Sequence, residues 1–221
     1  MTNHVNSGYT GHVTPEGPAQ TRDLAGLRIT KFSVSAMDNN CYLLEDRGTG
    51  KKILIDAAAN AERILEVTGT DLEAVITTHR HWDHVRALQQ VIEATGAESY
   101  AHPDDAPEVP VVTKSVTDGQ RITLGSCDLQ IIHLVGHTPG SIAVKYDDPE
   151  GFSHIWSGDS LFPGGVGKTD GPENFTSLVD DVEEKIFNLS TDGTTVYPGH
   201  GDDTTIGKER PHLYEWRKRG W

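Results

Sequence analysis

The chain has 221 residues and a formal net charge of −14 at pH 7. Its only basic cluster is the short Arg217-Lys218-Arg219 tail, so it lacks the positive surface that phosphate contacts need, and a nucleic-acid partner is excluded. The two cysteines, Cys41 and Cys127, stand far apart and no run of 18 apolar residues occurs, which argues against a disulfide framework and a membrane span and for a cytoplasmic protein.

Residues 1–20 are polar and rich in Gly and Pro, without the apolar stretch of a secretory signal. The expected organisation is a loosely ordered extension over residues 1–22, then one domain over 23–221. Leu27 to Ser35 alternates apolar and polar residues, which predicts a half-buried strand. Asn40 to Glu45 and Lys51 to Asp56 follow as a hairpin across Gly48-Thr49-Gly50. A helix is predicted from Asn60 to Thr68, stopped by Gly69, and a strand from Leu72 to Thr77. A second helix is expected from His84 to Thr95, with Val85, Leu88, Val91 and Ile92 at helical spacing. Short strands are then predicted at Ser99 to Ala101, Ile122 to Leu124, Asp128 to Val135, Ser141 to Tyr146 and His154 to Ser157. Asn174 to Leu189 is amphipathic, with Phe175, Leu178, Val179, Val182, Ile186 and Phe187 as its apolar stripe. A strand at Thr194 to Tyr197 and a helix near Lys208 to Arg219 close the chain. Many hairpin strands interrupted by a few helices predict two packed sheets with helices outside.

The stretch Thr78-His79-Arg80-His81-Trp82-Asp83-His84 follows the apolar run Ala74-Val75-Ile76. It carries four candidate ligands: His79, His81, Asp83 and His84. Alternate side chains of an extended segment point the same way, so His79, His81 and Asp83 share one side, and His84 swings in as the chain turns helical. Imidazole and carboxylate suit zinc, iron or manganese. The plainer reading is a polar loop with Asp83 capping a helix; ligands packed this densely favour a metal. Three further motifs each follow an apolar strand and set one ligand beside glycine: Gly136-His137-Thr138-Pro139-Gly140, Ser157-Gly158-Asp159-Ser160 and Pro198-Gly199-His200-Gly201. Together the motifs supply five His and two Asp, enough for two metal ions sharing a bridge. His133 and His154 sit inside predicted strands and are read as packed or hydrogen-bonded; His102 is also given a structural role. Trp82 is read as a wall or packing residue of the site.

This set resembles the metallo-β-lactamase superfamily, in motif order and approximate spacing, from about Ile29 onward. Within it the likeness is greatest to glyoxalase II-type thioester hydrolases. The resemblance implies an α+β fold, a four-layer αββα sandwich with the site at one edge. It implies that His79, His81 and His137 hold one divalent ion. Asp83, His84 and His200 hold the second, and Asp159 bridges both. No cysteine falls at a ligand position, which disfavours β-lactam hydrolysis. Zinc is the expected metal, with iron and manganese as alternatives. Two such ions activate a water for attack on an acyl carbon, and a thiolate leaves without a strong general acid. Asp83 would orient its metal and accept a proton from the nucleophile. The run Gly164 to Asp170 resembles the glyoxalase II loop that carries a thiol-binding lysine, which maps onto Lys168. Asp170 stands where the family has a tyrosine, and the family's C-terminal glutathione-binding helices are shortened, so the thiol carrier stays open. The expected activity is hydrolysis of a small-molecule thioester. A single-iron persulfide dioxygenase of the same fold is the alternative, followed by lactone or ester hydrolysis.

Overall fold

The computed structural model describes residues 8–220. Its first sheet has seven strands, in chain order across the sheet: β1 (Gln20–Asp23), β2 (Leu27–Val34), β3 (Asn39–Asp46), β4 (Lys52–Ile55), β5 (Leu72–Ile76), β6 (Glu98–Ala101) and β7 (Lys114–Ser115). Pairing is antiparallel from β1 to β4 and parallel from β4 to β7. The second sheet contains β8 (Arg121–Leu124), β9 (Cys127–His133), β10 (Ile142–Asp147) and β11 (Ser153–Gly158). A small ribbon of β12 (Leu161–Phe162) and β13 (Gly165–Val166) precedes the last two strands, β14 (Thr195–Pro198) and β15 (Thr204–Thr205). The order across this sheet is β15-β14-β11-β10-β9-β8, with only β11 and β14 parallel.

Parallel neighbours need a crossover, usually helical. Helix α1 (Ala61–Thr68) links β4 to β5; α2 (Trp82–Val85) and α3 (Leu88–Thr95) link β5 to β6. Asn60 caps α1 by accepting the Arg63 N–H at 3.2 Å, and Gly96 closes α3 in the left-handed region at φ 69°. In the second half, α4 (Pro172–Asp181) runs on through a wider, π-helical stretch, Val182–Phe187, between β13 and β14. Helices α5 (Ile206–Glu209) and α6 (Leu213–Arg219) end the chain.

Three apolar clusters separate these elements. Leu27, Ile29, Leu44, Ile53, Ile131, Val144 and Trp156 meet between the sheets. Phe32, Leu43, Leu54, Val75, Ile64 and Val91 join the first sheet to α1 and α3. Ile132, Ile155, Val196, Leu178, Ile186 and Trp216 join the second sheet to α4 and α6. Three apolar interfaces make four layers, so the fold is the expected αββα sandwich. The central strands β3 and β4 are buried on both faces, which explains their continuous apolar runs, Tyr42-Leu43-Leu44 and Ile53-Leu54-Ile55.

Several expectations differ from the structure. The helix expected from His84 to Thr95 is two helices, because the N–H groups of Arg86 and Ala87 donate to the Ala58 and Ala57 carbonyls, 3.1 Å each, instead of to the preceding turn. The helix expected over Lys208 to Arg219 is broken at Arg210–His212, where Pro211 lacks an N–H. A loose extension is expected through residue 22. Residues 1–7 lie outside the described part, but from Gly8 the chain is packed: Val13 is buried and β1 pairs with β2. The sequence signal misses this because polar contacts, not an apolar period, hold the segment. Trp82, read as a wall or packing residue of the site, is 59% exposed, with the Arg86 guanidinium 4.9 Å from its ring centroid. Trp221 lies outside the described residues.

Candidate metal centre

The site collects at the C-terminal ends of parallel strands from both sheets. Strands β4 and β5 deliver Asp56 and the stretch Thr77 to His84; β11 and β14 deliver Asp159 and His200. Leaving β5, the Thr78 N–H and hydroxyl both donate to the Asp56 carboxylate at 2.7 Å, which fixes the exit of the chain. His79 and His81 then alternate along extended backbone, and α2 turns Asp83 and His84 inward within one helical turn. His137 comes from the loop between β9 and β10. Gly199 lets the His200 loop close on the site: an added Cβ would overlap Asp159 Oδ1 and His84 Cε1.

All seven predicted ligands meet in one pocket. Three groups of three donor atoms lie mutually within 4.8 Å: His79, His81 and His137; Asp83, His84 and His200; and His79, His84 and Asp159, which links the other two. Asp159 stands between the first two. Its Oδ2 is 4.0 Å from His79 Nε2, 3.6 Å from His137 Nε2 and 3.5 Å from His200 Nε2; its Oδ1 is 3.4 Å from His84 Nε2. His200 Nε2 is 3.3 Å from Asp83 Oδ2. The inward atoms His79 Nε2, His137 Nε2 and Asp159 Oδ1 are buried without a hydrogen-bond partner. Converging, unpartnered lone pairs of N and O donors fit a divalent cation.

Four histidines are oriented from behind. His84 Nδ1 lies 2.8 Å from Asp56 Oδ2, His79 Nδ1 3.1 Å from Thr78 Oγ1, His137 Nδ1 2.6 Å from the Lys168 carbonyl and His200 Nδ1 2.8 Å from the Met37 carbonyl. Each arrangement leaves Nε2 facing the pocket, the outer-shell pattern that sets ligand tautomers. Asn39 Nδ2 donates to Asp83 Oδ2 at 3.0 Å.

The electrostatics divide the histidines. Burial, with His84 beside it, holds His79 well below its ordinary pKa, so it stays neutral. Burial also lowers His81, with His137 adding to the effect. For His84, burial acts downward, but Asp159 and Asp56 outweigh it and raise it well above the ordinary value. His200 behaves alike: burial lowers, yet Asp159 and Asp83 raise it to about 10. Asp159 is the counterpart; burial acts upward, and His84 and His200 hold its carboxyl well below the usual range. A metal ion takes only neutral imidazole, so its uptake at His84 and His200 displaces protons.

The model of the metallo-β-lactamase superfamily matches residues 35–200. The chain belongs to the metallo-β-lactamase superfamily. An uncharacterized protein of Mycobacterium leprae is 34% identical over 216 residues, covering 82% of this chain and 95% of that protein. Hydroxyacylglutathione hydrolase GloC of Haemophilus influenzae is 30% identical over 208 residues, covering 83% and 95%. Among solved structures, ETHE1 from Myxococcus xanthus aligns with a TM-score of 0.74 at 28% identity, covering 86% of this chain and 84% of that one. TTHA1623, solved in a di-iron-bound form, aligns at 0.67 with 32% identity, covering 80% and 95%.

Lys168 lies beside the pocket with its side chain exposed, and its carbonyl is the group that orients His137. Two contributors escaped the sequence reading. Asp56 directly follows strand β4 at a positive φ of 58°, and Asn39 opens β3. The Ile55-Asp56 junction carried the only signal: a lone carboxylate ending an apolar strand. Among the described residues, no helix is long and apolar enough to cross a membrane.

Proposed function

We propose that this protein is a binuclear metallohydrolase that cleaves thioesters of a small thiol, with His79, His81 and His137 holding one divalent ion, Asp83, His84 and His200 the other, and Asp159 shared. The observation that carries this reading is the Asp159 carboxylate, with a triplet of donors on either side and both oxygens facing imidazole nitrogens. The GloC relative and the di-iron form of TTHA1623 support it. Two ions held there would supply an activated water and polarise the acyl carbonyl. The protein's own groups do the rest. Asp56, Thr78, Met37 and the Lys168 carbonyl hold the imidazoles in one tautomer. Asp83 keeps an acceptor beside the second triplet for the proton of the attacking water. The exposed Lys168 ammonium offers an ionic contact to the anionic part of the thiol carrier. Attack on the acyl carbon breaks the C–S bond, and the thiolate leaves as free thiol after taking a proton. Zinc is the proposed metal and the cytoplasm the proposed location.

One observation favours a second reading. His79, His137 and Asp159 form a two-histidine, one-carboxylate set, the facial arrangement that suits a single ferrous ion in oxygen chemistry. It would make the protein a persulfide dioxygenase. The test is thiol release from a panel of acyl thioesters under nitrogen, beside oxygen uptake with a persulfide. Thiol release without oxygen supports the hydrolase. Oxygen uptake with no anaerobic release overturns it.

A further inference from the structure

We propose that Lys31 and the N-terminal segment Tyr9 to Val13 position His200, acting through the Gly201 to Asp203 loop; this rests on the reading of His200 as a metal ligand. Lys31 lies on β2 and is fully buried. A buried ammonium is tolerated only when its donors are satisfied. Lys31 Nζ donates to the Gly11 carbonyl at 2.8 Å, to the Gly201 carbonyl at 2.7 Å and to Asp203 Oδ1 at 2.7 Å. All three N–H groups of the ammonium are thus used. One acceptor belongs to the N-terminal segment; the other two belong to the residues that follow His200.

The same two segments are joined by three more polar contacts and one close approach. Tyr9 donates its hydroxyl to Asp203 Oδ2 at 2.6 Å, and the Asp203 N–H donates to the Gly11 carbonyl at 3.1 Å. His12 Nδ1 lies 2.5 Å from Asp202 Oδ1. Gly11 adopts φ +79° with its Cα turned toward Asp203, so that a Cβ would stand 3.0 Å from Asp203 Cβ. From the other side, Asn40 Nδ2 donates to the Gly201 carbonyl at 2.9 Å and the Asn40 N–H to the Gly199 carbonyl at 2.8 Å. His200 therefore sits on a short loop with one flank tied to β3 and the other to the start of the chain. Moving Gly11 or removing the ammonium releases the second flank only. The effect should fall on the ion held by His200, His84 and Asp83, and spare the one held by His79, His81 and His137.

The experiment uses the full chain and titrates zinc against a chromophoric chelator, with cobalt absorption as a second readout of ligand geometry. The variants are Gly11→Ala, Lys31→Met and Tyr9→Phe, with His200→Ala as the reference. Outer-shell changes weaken metal binding about 10- to 100-fold. Gly11→Ala and Lys31→Met should weaken one zinc equivalent by about tenfold or more and alter the cobalt spectrum, leaving the other equivalent within about twofold. Tyr9→Phe, which removes one hydrogen bond and keeps the ammonium, should have a smaller effect in the same direction. If Lys31→Met fails to fold, Gly11→Ala carries the test. Unchanged affinity for both equivalents in Gly11→Ala, with only a lower unfolding temperature, would make the segment merely structural and overturn the proposal. If His200→Ala also retains both equivalents, His200 is not a ligand and the functional reading falls with it. If His200→Ala loses one equivalent while Gly11→Ala keeps two, the clamp alone is wrong.

Discussion

Among the described residues, two histidine clusters have the composition of a metal site, and they differ in where their nitrogens turn. The first is the pocket around Asp159. The second is His102, Asp104 and His133, whose donor atoms also lie within 4.8 Å of one another. In the second, the two imidazoles stack at 3.8 Å with 20° between their planes. His133 Nε2 donates to the Pro139 carbonyl at 2.8 Å, and His102 Nδ1 accepts the Asp104 N–H at 3.3 Å. Those nitrogens are taken up by backbone groups. In the first, the outer nitrogens of four histidines are occupied from behind and the inner ones converge on Asp159, those of His79 and His137 without a hydrogen-bond partner. The lesson is that ligand types at close range do not make a centre; the direction of the free lone pair does. His154 Nε2 sharpens the point, being buried and unpartnered yet part of no group of three ligands among the described residues.

The comparison breaks first at Asp159. Asp159→Ala should strip both ions and reduce turnover to background, measured by metal analysis and thiol release on the same sample. Full activity with two ions retained would show that no shared carboxylate is needed. Next is Asp56→Asn, which takes the acceptor from His84 and a partner from Thr78. Metal affinity should fall about 10- to 100-fold with the fold intact by circular dichroism; unchanged affinity would deny that the outer nitrogens matter. Lys168→Ala keeps the carbonyl that orients His137 and removes only an exposed charge. Its KM should rise about fivefold, ~1 kcal/mol, with kcat within about twofold. A fall in kcat alone would place Lys168 in the chemistry instead.

Smaller effects test the buried imidazoles outside the pocket. Burial, with Arg22 nearby, pulls His154 from its ordinary 6.5 down to about 3. A depressed histidine contributes stability above its unfolded pKa and loses it as pH falls through 6.5 toward 3. His154→Phe should therefore flatten the acid limb of the unfolding free energy relative to the parent, read from urea titrations between pH 7 and 4. Parallel pH profiles would contradict that account. Smallest of all, His102→Asn should leave the number of bound ions and turnover unchanged, costing about 1 kcal/mol of stability through the lost stack. Loss of a bound ion would make the second cluster a metal site after all.

Much of this was legible in the sequence. The alternation in Leu27 to Val34 announced a half-buried strand, and Gly48-Thr49-Gly50 announced the hairpin of β3 and β4. Short spacings after strands brought seven candidate ligands to strand ends, and the structure gathers all seven in one pocket. What escaped was held by polar contacts between residues distant in sequence. Asp56 becomes important only because β4 and β5 lie side by side, which sets its carboxylate behind Thr78 and His84. Lys31 looks like a solvent-facing residue in an alternating strand until Gly11 and the loop after His200 cover it. The break between α2 and α3 depends on carbonyls of Ala57 and Ala58 from another segment. Local periodicity carries no record of such partners.

The central claim is that one pocket holds two ions through a shared Asp159. The most direct test is to reconstitute stripped protein with zinc in fractional equivalents, counting bound metal and anaerobic thioester turnover at each step. The account predicts binding that saturates at two ions per chain, with full turnover reached only as the second is filled. Saturation at a single ion, with a reaction that runs only on iron and consumes oxygen, would contradict it.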